Sequence, residues 1–334
     1  MKNKYVLLLL CLICPIIMSA LDCSVCNKKI RGKYIKTEKD VFCSRRCYLS
    51  TRPTCAECGR KCEKQVFTFM NKMFCSRQCM HSKFRCYTCS QGADNMIGLQ
   101  TVEGKQVLIC PSCHKRKRCY YCSMPEDGAK LRDGRHICRI CRKTAITNHN
   151  EIRRIFRQVR RNMGIWFGYD QKHPIELKIV SIQELSRRSG SIYLPADGKR
   201  MALMNHEQQI TEKRYITGKK ERYVSKERCR IFILESIPQT LLADALAHEL
   251  THDYLRHNKG KVTDLANEEG FCELMASLYN EKMGNRHLNK RKDQQSDPVY
   301  GDGYRKMRKI YERSGNNWRR ALNTIKADKQ NYKR

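Results

Sequence analysis

Apolar residues recur at helical spacing in two stretches of the second half of the chain. Five share one face after Asn148: Ile152, Ile155, Phe156, Val159 and Met163. Four recur at every fourth position after Pro238: Leu242, Leu246, Leu250 and Tyr254. Because residues three or four apart lie on the same side of an α-helix, both stretches predict amphipathic helices. Pro238 is expected to open the second helix, since proline is favoured in the first turn.

Shorter apolar segments between these helices predict strands: Ile175–Ile179, Met201–Met204, Tyr215–Ile216 and Cys229–Leu234. A further helix is expected from Thr263 or Asp264, as N-cap, to about Met283. Strands and helices together predict an α+β fold for residues 147–334. The segment Cys229–Leu234 is either an ordinary core strand or a sheet edge that pairs with an extended substrate.

The N-terminus has the layout of a signal peptide. Lys2 and Lys4 precede an uncharged run from Tyr5 to Ile17, and Ala20 stands at the expected cleavage point. The run is shorter than the roughly 20 apolar residues of a membrane-spanning helix. We therefore predict that residues 1–20 are a signal peptide, that the protein is secreted or extracytoplasmic, and that no transmembrane helix remains after cleavage. An uncleaved N-terminal membrane anchor is the alternative.

The chain is strongly basic, with 67 Lys and Arg against 33 Asp and Glu and a formal net charge of +34. The charge is spread along the chain instead of being gathered into one recognition element. The cysteine-rich half also lacks the interleaved aromatic residues and the helix signature of nucleic-acid readers. We therefore expect a solvated basic surface and do not expect nucleic-acid binding.

Cysteines in the first half form four quartets, each made of two close pairs. The first quartet recurs 32 residues later, and two more follow: Cys23, Cys26, Cys43 and Cys47; Cys55, Cys58, Cys75 and Cys79; Cys86, Cys89, Cys110 and Cys113; Cys119, Cys122, Cys138 and Cys141. Two thiolates that bracket a tight turn, completed by a distant pair, have the spacing of a tetrahedral zinc site. Four structural zinc ions are predicted, in two repeated modules (residues 21–82) and a LIM-like pair (residues 83–146) of treble-clef or LIM-like type.

Disulfides are the competing interpretation, because exported thiols meet oxidising conditions. The regular two-by-two grouping favours zinc. Cys62, Cys229 and Cys272 belong to no quartet and are interpreted as ordinary buried thiols.

Residues 248–252, His-Glu-Leu-Thr-His, carry the clearest chemistry in the chain. On a helix, His248 and His252 lie one above the other, so both can bind a single Zn²⁺ while Glu249 reaches the zinc-bound water as general base. This pattern predicts a zinc metallopeptidase.

A catalytic zinc needs a third protein ligand and keeps one open position. Glu269 is the first candidate, because Gly270 after it suggests a close approach to another element, taken to be the helix of His248. Glu268 is the alternative, since the predicted helical face points it inward. Glu273, one turn later, is placed to orient a ligating histidine. One catalytic zinc is predicted, besides about four structural ones.

Several blocks resemble the LIM-domain, ubiquitin-activated peptidases, a family of plant organ-size regulators with bacterial relatives. They are Cys110–Cys113, Asp133–Cys141, Leu246–His252, Glu268–Cys272 and Asp297–Arg305. The resemblance implies LIM-like zinc modules followed by a gluzincin-type, zincin-fold metallopeptidase domain. It also implies that Tyr300-Gly-Asp-Gly-Tyr304 is a loop near the site, where Tyr300 or Tyr304 would stabilise the oxyanion. A Gly-rich turn before the next helix is the alternative. Cys113 departs from the plant pattern, which has His there.

We therefore expect an exported zinc-dependent peptidase that hydrolyses protein or peptide substrates, with zinc modules that can bind a protein partner. The alternative is a zinc-module protein that binds a protein or nucleic acid and carries an inactive peptidase-like domain.

Overall fold

The computed structural model describes residues 21–125, 129–170, 173–190, 200–214, 220–258, 262 and 264–326. The predicted signal peptide lies outside the described residues, as do Tyr215, Ile216 and Thr263. The chain has a mixed α+β fold that divides into two compact units, Met1–Arg85 with Gln91–Asp94 and Cys86–Ser90 with Asn95–Arg334. Over the described ranges, no helix is both long and apolar enough to cross a membrane.

The first unit contains the same small motif twice, a two-stranded antiparallel hairpin followed by a short helix. The first copy comprises β1 (Ile35–Lys36), β2 (Val41–Phe42) and α1 (Arg45–Ser50), and the second comprises β3 (Phe67–Phe69), β4 (Lys72–Phe74) and α2 (Arg77–Lys83). In both copies a serine caps the helix: Ser44 accepts a hydrogen bond from the backbone N–H of Cys47, and Ser76 from that of Cys79. The predicted repeat is thus a repeat of local structure.

The second unit begins with two more cysteine-bearing segments. They contain β5 (Ile97–Gln100), β6 (Gln106–Ile109), α3 (Pro111–His114), α4 (Arg139–Lys143) and β7 (Ala145–Ile146). The long α5 (His149–Phe167) follows, capped by Asn148, and its five predicted apolar positions are all buried. Helix α5 ends at Gly168, which has a φ of 73° and a left-handed conformation that suits glycine.

A three-stranded sheet forms one wall of the second unit. It is built from β8 (Ile175–Val180), β9 (Ala202–Arg214) and β10 (Lys220–Leu234), with α6 (Ile182–Ser189) between β8 and β9. The order is β8-β10-β9, with β10 parallel to β8 and antiparallel to β9. Segment Cys229–Leu234 is therefore central, paired on both sides, and the interpretation of it as a substrate-binding edge is wrong. The edge strands are β8 and β9.

Helices cover the sheet and enclose the core. Strand β11 (Ile237–Pro238) pairs with β7 and leads into α7 (Gln239–His257), with Pro238 as the N-cap. Four more helices follow: α8 (Leu265–Lys282), capped by Asp264, α9 (Arg286–Asp293), α10 (Gly301–Arg313) and α11 (Trp318–Ile325). Helix α7 packs against α5, α8 and β9.

Two glycines allow α8 and α10 to touch. A Cβ atom built on Gly270 would lie 2.4 Å from the backbone carbonyl of Gly303, and one on Gly303 would lie 2.5 Å from the carbonyl oxygen of Ala266. The close approach inferred for Gly270 is present, but its partner is α10 and not α7. Because the Gly-Asp-Gly sequence packs in this way, it forms the first turn of α10 instead of a free loop.

Candidate metal centre

Helix α7 presents the two histidines of the His-Glu-Leu-Thr-His sequence to one point. The helix is fixed in the core by Leu242, Leu246 and Leu250, all of which are buried. With this face held, the four-residue spacing brings the Nε2 atoms of His248 and His252 to 3.2 Å from each other. Both rings point their Nε2 atoms at the same side of the helix.

Glu269 on α8 completes a triangle of ligand atoms. Its Oε2 lies 3.1 Å from Nε2 of His248 and 3.3 Å from Nε2 of His252. In a tetrahedral zinc site with bonds of about 2.0–2.1 Å, ligand atoms are separated by about 3.3–3.4 Å. The three atoms therefore have the spacing that a zinc ion requires, and they leave the fourth position to the cleft.

Two further acids contact the other ring nitrogens. Oε1 of Glu268 lies 3.0 Å from Nδ1 of His252, and Oε1 of Glu273 lies 3.2 Å from Nδ1 of His248. The side chain of Glu268 is 42% exposed, whereas that of Glu269 is 8% exposed. The geometry thus gives Glu269 the position of a ligand and gives Glu268 and Glu273 positions that orient ligands.

A buried lysine compensates the charge behind the triangle. Nζ of Lys292 contacts Glu273 and lies 3.1 Å from Asp244. Burial raises the pKa of Glu273, but Lys292 and His248 outweigh this effect and lower the pKa to about 2. Glu273 is therefore ionised and can hold the Nδ1–H of His248 towards itself, which directs Nε2 at the metal position.

Acidic neighbours also favour a cation at the histidines. Burial lowers the pKa of His248, but Glu269 and Glu273 outweigh burial and raise the pKa to about 9. A site that stabilises a proton on imidazole in this way has an excess of negative charge, which also stabilises a bound Zn²⁺.

Strand β9 positions Glu249. The backbone N–H of Met204 donates a hydrogen bond of 2.7 Å to Oε2 of Glu249. This N–H points outward from the sheet edge, because it serves α7 and not β10. This contact could not be predicted from the sequence, because it depends on the pairing of β9 with β10.

These residues line a cleft of about 1100 Å³ that opens in the second unit. Its walls include β9, α7, α8, the segment Leu99–Thr101 and the segment Cys122–Met124. Residues of both the third and the fourth cysteine segments therefore border the same cavity as the metal centre. Arg200, Lys290 and Arg291 make part of its lining basic.

The two tyrosines of the tail block have different environments. Tyr300 lines the cleft, its ring lies 6.2 Å from that of His248, and its hydroxyl accepts a hydrogen bond from Nη2 of Arg200 at 3.2 Å. Burial raises the pKa of Tyr300 above its usual value, so the hydroxyl stays protonated and can donate. Tyr304 is buried and is not among the residues that line the cleft.

All four cysteine quartets are assembled in space. The four Sγ atoms of each quartet lie within 4.8 Å of one another. Individual Sγ–Sγ distances include 3.6 Å for Cys26 and Cys43, 3.6 Å for Cys58 and Cys75, and 3.4 Å for Cys122 and Cys138. A tetrahedral site with Zn–S bonds of about 2.3 Å has edges of about 3.8 Å. The quartets could therefore each hold a metal ion.

None of the described cysteines forms a disulfide. Backbone N–H groups of Cys26 and Cys43 lower the pKa of Cys23 to about 6, which favours the thiolate that binds zinc. The four clusters thus match the LIM-like zinc modules expected from the spacing, and the disulfide interpretation has no support in this geometry.

Residues 195–296 match the DA1-like family. The family model is described as Protein DA1, and the matched segment contains His248, His252 and Glu269. Residues 297–334, and with them Tyr300, lie beyond the match.

Curated plant proteins are similar over a longer part of the chain. They include Protein DA1-related 2 of Arabidopsis thaliana, 26% identical over 51% of this chain and 36% of its own length. Protein DA1 of the same plant is 24% identical over 62% of this chain and 48% of its own length. LIM domain-containing protein HDR3 of Oryza sativa subsp. japonica is 26% identical over 45% of this chain and 32% of its own length. The chain therefore spans about a third to a half of the length of these relatives. No solved structure matches it.

Proposed function

We propose that this protein is a zinc-dependent peptidase whose metal is held by His248, His252 and Glu269. The observation that carries the proposal is the triangle of Nε2, Nε2 and Oε2 atoms with sides of 3.1–3.3 Å at the wall of an open cleft. Three ligands and one open position are typical of catalytic zinc sites, whereas structural sites are closed by four.

Zinc, when bound, would polarise the scissile carbonyl and make a water molecule acidic near neutral pH. Glu249 would accept the proton of that water and pass it to the leaving amine. The N–H of Met204 would hold Glu249 in one orientation while the other carboxylate oxygen faces the cleft. Tyr300 would donate its hydroxyl hydrogen to the oxyanion, and Arg200 would fix the direction of that hydroxyl.

An edge strand beside the cleft supports a peptide as the substrate. Among the described strands β9 pairs only with β10, and Ala202, Leu203 and Met204 line the cavity. The N–H of Met204 is bonded to Glu249, but an extended peptide could add to the rest of this edge by backbone hydrogen bonds, which would place its carbonyl groups beside the metal. We propose that the cysteine modules recognise protein substrates or partners, and that the protein acts after export.

The test compares the full chain with Glu249→Gln, using a panel of denatured proteins as substrates. The amide keeps the shape of the side chain but cannot accept the proton, so we expect zinc content to stay unchanged and cleavage to fall by at least about 10²-fold. Glu151→Gln, on the exposed side of α5, is the matched control and should cleave like the wild type. Equal cleavage by Glu249→Gln, or none by zinc-loaded wild type, would refute the proposal.

A further inference from the structure

A second group of metal-ligating side chains lies beside the C-terminal half of α7. It consists of His173, His206, Cys229, Asp253 and His257, and we refer to it as the His–Cys–Asp cluster. Ligand atoms of His173, Cys229, Asp253 and His257 all lie within 4.8 Å of one another. None of these residues belongs to the candidate metal centre or to a cysteine quartet.

Four different elements supply the cluster. His173 precedes β8, His206 lies on β9, Cys229 on β10, and Asp253 with His257 on α7. Nε2 of His173 is 2.9 Å from Oδ1 of Asp253. Nδ1 of His257 is 3.4 Å from the same oxygen and 2.8 Å from the backbone oxygen of Asp253. Nδ1 of His206 is 3.2 Å from Sγ of Cys229. The separation of 3.4 Å between His257 and Asp253 matches the about 3.3–3.6 Å between ligand atoms in tetrahedral zinc sites, and the His173–Asp253 pair is closer, at a hydrogen-bond distance.

Burial of unpaired polar atoms in this cluster lowers the stability of the fold unless a ligand binds them. The side chain of Asp253 is fully buried, and that of His206 is 8% exposed. Yet Oδ2 of Asp253 and Nε2 of His206 have no hydrogen-bond partner in the part of the chain that the structure describes. A buried carboxylate or imidazole atom left unpaired costs about 1–3 kcal/mol, and more when charged. The unpaired oxygen of Asp253 belongs to a cluster of ligating groups, so it indicates a position for a cation.

We propose that the His–Cys–Asp cluster is a structural zinc site, in which His173, Cys229, Asp253 and His257 bind the ion and His206 hydrogen-bonds the cysteine sulfur. A thiolate with imidazoles selects zinc over magnesium or calcium, which prefer oxygen ligands. Four protein ligands close the site, so it fixes structure and does not catalyse.

The position of the site defines its role. It ties α7, one residue after His252, to β10 and to the segment before β8. The same helix and the neighbouring β9 form the contact between Met204 and Glu249. The zinc would therefore hold the helix of the candidate metal centre in register with the sheet, independently of whether the protein is a peptidase.

The most direct test is cadmium substitution of the reduced full-length protein followed by ¹¹³Cd NMR. The chemical shift of ¹¹³Cd rises with the number of thiolate ligands, so a site with one thiolate is separated from four-thiolate and no-thiolate sites. We expect one single-thiolate signal in the wild type. The absence of that signal from fully loaded protein overturns the proposal without any variant.

Variants then assign the site. Cys229→Ser should remove the single-thiolate signal and lower the zinc content, measured by native mass spectrometry, by one ion per chain. Cys62→Ser, which removes another buried thiol outside the quartets, should do neither. His257→Gln, with a side chain that is 27% exposed, provides a second variant that is less able to disturb the core. An unchanged zinc count in this variant, together with a retained signal in Cys229→Ser, would also refute the proposal.

Discussion

The contact between Gly270 and Gly303 gives a stability prediction that can be worked out from the structure. A Cβ on Gly270 would lie 2.4 Å from the backbone carbonyl of Gly303, and neither backbone can yield as a flexible side chain could. Overpacking of this kind costs about 3 kcal/mol, at the upper end of the usual range. Alanine recovers about 1 kcal/mol of helix propensity. Gly270→Ala should therefore lower the free energy of unfolding by about 2 kcal/mol.

Gly164→Ala is the matched control, because Gly164 also lies inside a helix. A Cβ there would meet its nearest atom, the carbonyl oxygen of Tyr169, at 3.4 Å, which is an ordinary contact. This variant should gain about 1 kcal/mol, so the two should differ by about 3 kcal/mol. For a unit of this size the difference corresponds to about 6–12 °C in melting temperature.

Differential scanning calorimetry at saturating zinc measures both variants under the same conditions. Because Gly270 follows Glu269, the displaced backbone should also weaken zinc binding in Gly270→Ala and leave it unchanged in Gly164→Ala. Equal melting temperatures for the two variants would show that α8 and α10 do not make this close approach.

Three further results are expected. Glu269→Ala should weaken zinc binding at the candidate metal centre by about 10²–10⁴-fold, the loss typical of removing one partner of a buried ion pair, and Glu268→Ala should weaken it by only about 10–100-fold. Competition with a chromophoric chelator measures both affinities. If Glu268→Ala caused the larger loss, the roles of the two glutamates would be exchanged. In a peptide-cleavage assay, Tyr300→Phe should reduce turnover by about 10²-fold with unchanged zinc content, whereas the turnover of Tyr304→Phe should stay within about threefold of wild type. Equal turnover in the two variants would exclude a specific role for Tyr300. Lys292→Met removes the buried lysine partner of Glu273 and Asp244 and should destabilise the protein by about 3–5 kcal/mol in urea denaturation, whereas replacing a surface lysine would not cause such a loss.

The elements with strong local signals could be predicted from the sequence. The apolar face of α5 follows from helical spacing, and the structure buries all five of its predicted positions. The cysteine quartets were equally visible, because paired thiols at short spacing form a local turn that needs no knowledge of the tertiary fold. The extent of β9 beyond Met204 could not be predicted, because its residues up to Arg214 are polar except Ile210 and gain their strand conformation from pairing with β10.

The choice between Glu268 and Glu269 shows why the rest could not be predicted. A helical wheel places residues around one helix axis, but the direction that faces the metal depends on how α8 crosses α7. That crossing is set by the contact of Gly270 with α10, which the sequence interpretation had assigned to α7. The side chain of Glu269 is 8% exposed as a consequence, and that of Glu268 is turned outward.

The His–Cys–Asp cluster could not be predicted from the sequence either, because its residues are far apart in the chain. Cys229 had the pattern of an ordinary buried thiol, and its histidine neighbours are not close to it in sequence. His206 faces Cys229 only because the antiparallel register pairs these two positions of β9 and β10. A ligand set assembled by strand register has no spacing signature, in contrast to one carried by a single helix.

The register of β9 against α7 links the two clusters. Met204 contacts Glu249, and His206, two residues further along the strand, lies 3.8 Å from Asp253, four residues further along the helix. Two residues of a strand advance about 6.6 Å, and four residues of a helix advance about 6.0 Å. Over this interval the strand and the helix advance by nearly the same distance. A zinc ion bound to Asp253 would therefore also fix the distance between the N–H of Met204 and the carboxylate of Glu249. Asp253 directly follows His252 on α7. A displacement of Asp253 in the His–Cys–Asp cluster would therefore also displace His252 in the candidate metal centre.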